Sequence, residues 1–218
     1  MSTKRDQAYS LLLERINNGT YPAQAYIDDK AIALELETSR TPVREAILTL
    51  AHEGYLKLMP QRGVIVLPFT YEDACDVFQT RKLIEPWLIR TYGPTFSTKQ
   101  LEEERNEVIG ENLMPFVEKT GHPHISMMHH PHILLIKACR NQFISQTVER
   151  IEQQCIRVPN DTRARQPYVS LYSAEELREK HLALIDLMIG GRFEEAAQAM
   201  ITHLDEGERE YMSYWFNA

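Results

Sequence analysis

Along the first third of the chain, hydrophobic positions recur at helical spacing. Tyr9, Leu12, Leu13 and Ile16 share one face, and Asn17-Asn18-Gly19 supplies a stop, which predicts a first helix. After a loop containing Pro22, Asp28 and Asp29 offer an N-cap and a favourable dipole contact for a short second helix running through Leu36. In the next segment Val43, Ala46, Ile47 and Leu50 fall on one arc at about 100° per residue, and Arg40, Thr41 and Arg44 fall on the neighbouring arc. Ser39 or Thr41 can cap this third helix, and Pro42 is tolerated in its first turn, where amides lack intrahelical partners. Two aliphatic runs around Pro60-Gln61-Arg62-Gly63 then predict a β-hairpin with Arg62 at its tip.

From Thr70 onward strand alternation disappears and the period is helical throughout. Thr70 with Asp73 resembles a capping box, and Val77, Ile84, Trp87 and Leu88 are expected core positions of the helix that follows. The acidic stretch from Ser97 to Leu113 reads as a helix with a solvated face. A third helix starts near Pro123 and runs through His132 to Arg140, and a fourth covers Phe143 to Val158. Ser173 with Glu176 opens another helix, Gly190-Gly191 ends it, and Arg192 to Trp215 forms the last. The result is a mainly α protein whose C-terminal part is an antiparallel all-α helical bundle.

Charge divides the chain at the same place. The 218 residues carry a net charge of −7, which argues against a nucleic-acid partner only until the chain is split. Residues 1–69 hold eight Lys/Arg and eight Asp/Glu, whereas residues 70–218 hold 16 against 23 and carry the whole deficit. Two domains, 1–69 and 70–218, with different partners follow. No apolar run of about 18 residues occurs, and the polar start Met1-Ser2-Thr3-Lys4-Arg5 lacks a signal peptide's apolar core, so a cytoplasmic protein with no membrane partner is expected. Cys75, Cys139 and Cys155 are odd in number and far apart, which suits buried reduced thiols.

Three short helices and a basic-tipped hairpin make a winged helix-turn-helix. Its third helix enters the major groove, where Arg40 and Arg44 can bond guanine edges or phosphates, and the wing contacts backbone or minor groove. The competing interpretation is that both arginines pair with Glu37, Glu45 or solvent on an exposed helix.

The ordered motif Ser39-Arg40-Thr41-Pro42-Val43-Arg44-Glu45-Ala46-Ile47, followed by Glu53-Gly54-Tyr55-Leu56 and Gly63-Val64-Ile65-Val66, resembles the reading helix and wing of the GntR family of bacterial transcription regulators over about residues 6–68. The resemblance implies that Arg40 and Arg44 are the principal DNA-reading arginines, with Ser39, Thr41, Lys30 and Arg62 assisting and Gly63 letting the wing approach double-stranded operator DNA. One departure is the loop Tyr21-Pro22-Ala23-Gln24, where members usually carry a Pro-Gly pair before the second helix. Asp76 to Ile89, His132 to Ile144 and Glu179 to Leu204 are similar to the FCD effector-binding domain of the FadR-like subgroup.

That similarity draws attention to three histidines. His181 precedes Gly190 by nine residues and His203 follows Gly191 by twelve, which places them roughly 14 and 18 Å from the turn on neighbouring antiparallel helices. If the helix carrying His132 crosses both, three imidazoles converge. Many FCD domains bind a metal through three histidines and an aspartate four residues before the first, and His132, His181 and His203 occupy the matching positions. Such a set suits a divalent metal of the zinc, nickel or manganese type. The aspartate's position holds Met128, a weak ligand, and His129 is a candidate fourth ligand. The alternatives are a metal-free polar pocket for the effector, a regulator with a vestigial metal site, or a metal-dependent hydrolase. His122, His124 and His130 read as surface or loop residues.

Arg81, Met128 and Arg157 are candidate effector contacts, since a guanidinium fork fits an organic acid's carboxylate, although Arg81 can instead pair with Glu85 one turn on. The resemblance implies a regulator and not an enzyme, with repression the commoner mode, controlled by a small organic acid. A homodimer is expected, because one reading helix covers a short half-site and two-fold symmetry matches a palindromic operator.

Overall fold

The computed structural model describes residues 2–110, 130–155 and 174–216. These divide into two compact units, one covering the chain up to Thr70 and one beginning at Tyr71.

The first unit contains α1 (Lys4–Asn17), β1 (Tyr26–Ile27), α2 (Asp29–Glu35), α3 (Arg40–His52), β2 (Leu56–Met59) and β3 (Gly63–Val66). Helix α1 begins earlier than Tyr9 suggests, because Thr3 and Asp6 form a reciprocal capping box that satisfies two otherwise unpaired amides. Asp28 caps α2 by accepting from the amides of Lys30 and Ala31 at 2.9 and 3.2 Å. Asp29 therefore stands in the first turn, with its carboxylate available to other elements. Ser39 occupies the N-cap position of α3, but its side chain makes no capping hydrogen bond, and Thr41 lies inside the first turn. Val43, Ala46, Ile47 and Leu50 are buried as their arc requires, in one core with Leu12, Ile32, Tyr55, Leu56 and Val66.

The hairpin pairs Leu56 with Val66 and Met59 with Gly63. Its tip is tight: Gln61 and Gly63 have φ of 60° and 91°, and the second value is cheap only for glycine. Strand β1 pairs Ile27 with Val64 and completes a three-stranded sheet in the order β1-β3-β2.

The second unit consists of α4 (Tyr71–Tyr92), a 3-10 turn (Gly93–Thr95), α5 (Thr98–Gly110), α6 (His130–Ala138), α7 (Gln142–Cys155), α8 (Ala174–Ile189) and α9 (Phe193–Phe216). Helices α4 and α9 run antiparallel, as the bonds from Lys82 to Asp205 and Glu208, and from Arg90 to Glu194, require. Gly191 adopts φ of 70° and ends α8 in the left-handed conformation, after which the chain reverses into α9. Leu88, Ile89, Leu101, Val108, Leu135, Leu184, Ile185, Met200 and Leu204 form the core. Trp87 departs from expectation. It is 39% exposed, because Glu85, Pro86, Leu88 and Ile89 take the inward positions of that turn. Cys75 and Cys139 are free thiols, as expected, but half-buried. The expected cap at Ser173 lies outside the described residues. Among the described residues no helix is long and apolar enough to cross a membrane.

Candidate functional site

Two sites emerge, one in each unit. In the first, Lys30, Ser39, Arg40, Thr41, Arg44, Arg62 and Gly63 are all exposed. Arg40 and Arg44 lie one turn apart on α3, and both engage Asp29 of α2. Arg40 donates from Nε to Oδ2 at 3.2 Å and from Nη2 to Oδ1 and Oδ2 at 2.9 and 2.8 Å. Arg44 donates from Nε to the same Oδ2 at 2.9 Å. Partial burial pushes the Asp29 carboxyl up, but hydrogen bonds from the two arginines outweigh it and hold the group below the usual carboxylate range. The arginines' acidic partner is thus Asp29, not the Glu37 or Glu45 that sequence proximity suggests. Helix spacing could not reveal it, since 11 and 15 residues separate the partners.

In the second unit, α6, α8 and α9 bring His132, His181 and His203 together. His132 and His181 are buried, and one ring nitrogen of each of the three lies within 4.8 Å of the others. The Nε2 atoms of His181 and His203 are 3.3 Å apart. The His132 ring centroid is 5.6 Å from that of His181 and 5.4 Å from that of His203.

Behind them stands a buried carboxylate from α4. Glu85 Oε2 lies 2.5 Å from His132 Nδ1, and its Oε1 accepts from Arg81 Nε at 2.5 Å. Burial alone would raise the Glu85 carboxyl, but the charges and hydrogen bonds of Arg81 and His132 outweigh it and hold the group down to about 2. An ionised carboxylate can only accept, so the proton between them belongs to His132 Nδ1. Its Nε2 is then the ring nitrogen left for another partner. His203 is partly exposed as a residue, yet its ring lies among the other two. Burial, with His132 and Arg81, pushes it well below the ordinary value of 6.5, so it is neutral near neutral pH.

The donor set fits a metal. Nitrogens sharing a tetrahedral zinc stand about 3.3 Å apart, given Zn–N distances of about 2.0–2.1 Å, and the His181–His203 separation matches that value. An imidazole backed by a carboxylate, as His132 is by Glu85, is also the usual ligand chemistry. Of the candidate effector contacts, Arg81 is tied to Glu85 inside the bundle. Met128, His129 and Arg157 lie outside the described residues, as do His122, His124 and the His130 side chain. Sequence spacing pairs Glu85 with Arg81 alone, and its second role toward His132 needs a contact across 47 residues.

Comparison with known proteins accords with this architecture. Residues 4–66 match the family described as "Bacterial regulatory proteins, gntR family", and residues 76–206 match the FCD domain, a type able to bind metals. The chain is 22% identical over 207 residues to the HTH-type transcriptional regulator YdhC of Bacillus subtilis, covering 91% of this chain and 87% of that protein. It is 32% identical over 81 residues to the gluconate operon transcriptional repressor of Bacillus subtilis, or 37% of this chain and 32% of that one. A GntR transcriptional regulator from Rhodococcus sp. RHA1 shares the fold with a TM-score of 0.73 at 20% identity, over 97% of this chain and 99% of its own. The family and these relatives are transcription regulators and not enzymes, which sets the hydrolase interpretation aside. With the FCD match alone spanning more than half of the sequence, the chain belongs to the GntR family of bacterial transcription regulators, with an FCD domain as its C-terminal half.

Proposed function

We propose that this regulator is a cytoplasmic homodimer of the FadR-like subgroup that represses transcription from a palindromic operator and is controlled by a small organic acid bound at a divalent metal. In this interpretation Arg40 and Arg44 read the operator, Lys30, Ser39, Thr41 and Arg62 assist at bases or phosphates, and Gly63 lets the wing approach the duplex. The C-terminal domain dimerises and binds the effector. His132, His181 and His203 hold a metal of the zinc, nickel or manganese type, which would supply a Lewis-acidic anchor for a carboxylate. Glu85 holds His132 in the tautomer that offers Nε2, and Arg81 holds Glu85. With Met128 in place of the expected aspartate, the effector's own carboxylate or His129 completes the set, and Arg157 is the remaining candidate for clamping the acid. Effector binding acts by differential affinity for two arrangements of the reading helices in the dimer. Repression is favoured by the gluconate operon relative, which is named a repressor.

The convergence of three imidazoles on one point, backed by the buried Glu85, carries this interpretation. It is tested by measuring bound metal in the intact protein and in His181→Ala, and by following retention of genomic DNA fragments as salt is added. Metal lost in the variant and a steep fall of DNA binding with salt are expected. Equal metal content in both proteins would remove the metal from the proposal.

A further inference from the structure

Asp29 engages the two reading arginines unequally. It takes Nε and Nη2 of Arg40, with Nη2 shared between both carboxylate oxygens, but only Nε of Arg44. Among the described residues neither guanidinium makes another hydrogen bond that competes with this one. Arg44 therefore keeps both terminal nitrogens as an unencumbered fork, and its side chain is 61% exposed against 43% for Arg40. Guanine is read by two parallel donors on its O6 and N7 atoms, which is the geometry of that terminal fork. A phosphate oxygen is satisfied by single donors.

We propose that Asp29 is a specificity-determining positioning residue: by gripping Arg40 along one edge and Arg44 at Nε alone, it assigns bidentate guanine reading to Arg44 and a phosphate-backbone contact to Arg40. The carboxylate also halves the charge of the arginine pair. That lowers the electrostatic attraction to any duplex, whatever its sequence, while leaving the fork that distinguishes guanine in place. Asp28 makes the capping bonds of α2, so Asp29 is not needed to start that helix.

The inference rests on α3 being the reading helix, and the experiment separates the two. Duplexes are selected from a randomised pool with the full-length protein, and affinity is then measured for the selected duplex and for a random-sequence duplex. Arg44→Lys is expected to erase a guanine preference at one position of each half-site, because a lysine ammonium is a point charge without a fork. Arg40→Lys is expected to weaken both duplexes alike. Asp29→Ala is expected to bind the random duplex more tightly and to lose about tenfold in the ratio of selected to random affinity, with α2 intact by circular dichroism. An unchanged ratio in Asp29→Ala, or loss of the guanine preference in Arg40→Lys with retention in Arg44→Lys, overturns the assignment. If neither arginine variant alters binding to either duplex, α3 is not the reading helix and the broader proposal falls with it.

Discussion

Glu85 on α4 and His132 on α6 share a buried hydrogen bond of 2.5 Å across 47 residues, and each side chain is 1% exposed. The carboxylate also receives Arg81, so it accepts from two donors at once. A glutamine there cannot repeat this, since its amide offers one acceptor oxygen and presents N–H groups to the second donor. Glu85→Gln is expected to lower metal affinity by about 10–100-fold, the usual loss when a partner of a histidine ligand is removed. It should also lower the melting temperature, because the buried Arg81 loses the Glu85 carboxylate to which it donates. Competition with a chromophoric chelator reads the first effect and thermal unfolding the second; unchanged chelator competition would deny Glu85 any part in positioning His132.

Acid should destabilise the metal-free protein in two stages. His203 has its folded value pushed below 6.5 by burial, His132 and Arg81. The unfolded chain thus binds a proton that the folded chain refuses, and stability is complete above about pH 6.5 and lost as the pH falls from there. Glu85 follows lower down. Its contribution is complete above its unfolded value of 4.5 and lost as the pH drops toward about 2. One proton difference corresponds to a slope of at most about 1.4 kcal/mol per pH unit. Urea midpoints of chelator-treated protein, measured from neutral pH downward, are expected to fall in wild type and to flatten above pH 4.5 in His203→Gln. Equal slopes for the two proteins in that upper window would refute the His203 assignment.

What the sequence made legible was local. Val43, Ala46, Ile47 and Leu50 are buried because the arc of a helix is written in consecutive residues, and Gly190-Gly191 ends α8 because a left-handed turn favours glycine. His181 and His203 meet as their similar distance from that turn predicts. Partners supplied by other elements were not legible: Asp29 reaches α3 from α2, and Glu85 reaches His132 from another helix. Strand β1 escapes because two residues, Tyr26 and Ile27, are too few to show an alternating pattern. Trp87 sits at helical spacing from Ile84 and next to Leu88, which predicts the core, yet the edge of an apolar arc is decided by what packs beside it.

Restoring the aspartate that the FCD resemblance expects should trade one ligand for another. Met128 precedes His132 by four residues, one helical turn in an FCD domain. A carboxylate at that position adds a hard anionic donor where a thioether contributes little. Met128→Asp is therefore expected to bind the metal more tightly and to bind carboxylate effectors more weakly, since the added side chain competes for the position they would fill. Calorimetric titration with zinc, followed by a panel of small organic acids, checks both halves. Tighter zinc with unchanged acid binding would mean that the acid does not reach the metal.

Lys30 and Arg62 offer a contrast with the paired arginines. Both are exposed, one in the first turn of α2 and one at the tip of the wing, and in the proposed function each meets the duplex as a single positive charge. A phosphate contact releases counter-ions without reading sequence, so its loss is felt equally by every duplex. Lys30→Ala and Arg62→Ala are each expected to reduce the slope of log affinity against log salt by about 1 and to leave the base preference of the selected duplex as it was. Fluorescence anisotropy across a salt series measures the slope, and repeating it on duplexes altered at single base pairs measures the preference. A variant that kept the wild-type slope but changed its preferred base would show that its side chain reads a base edge instead of the backbone.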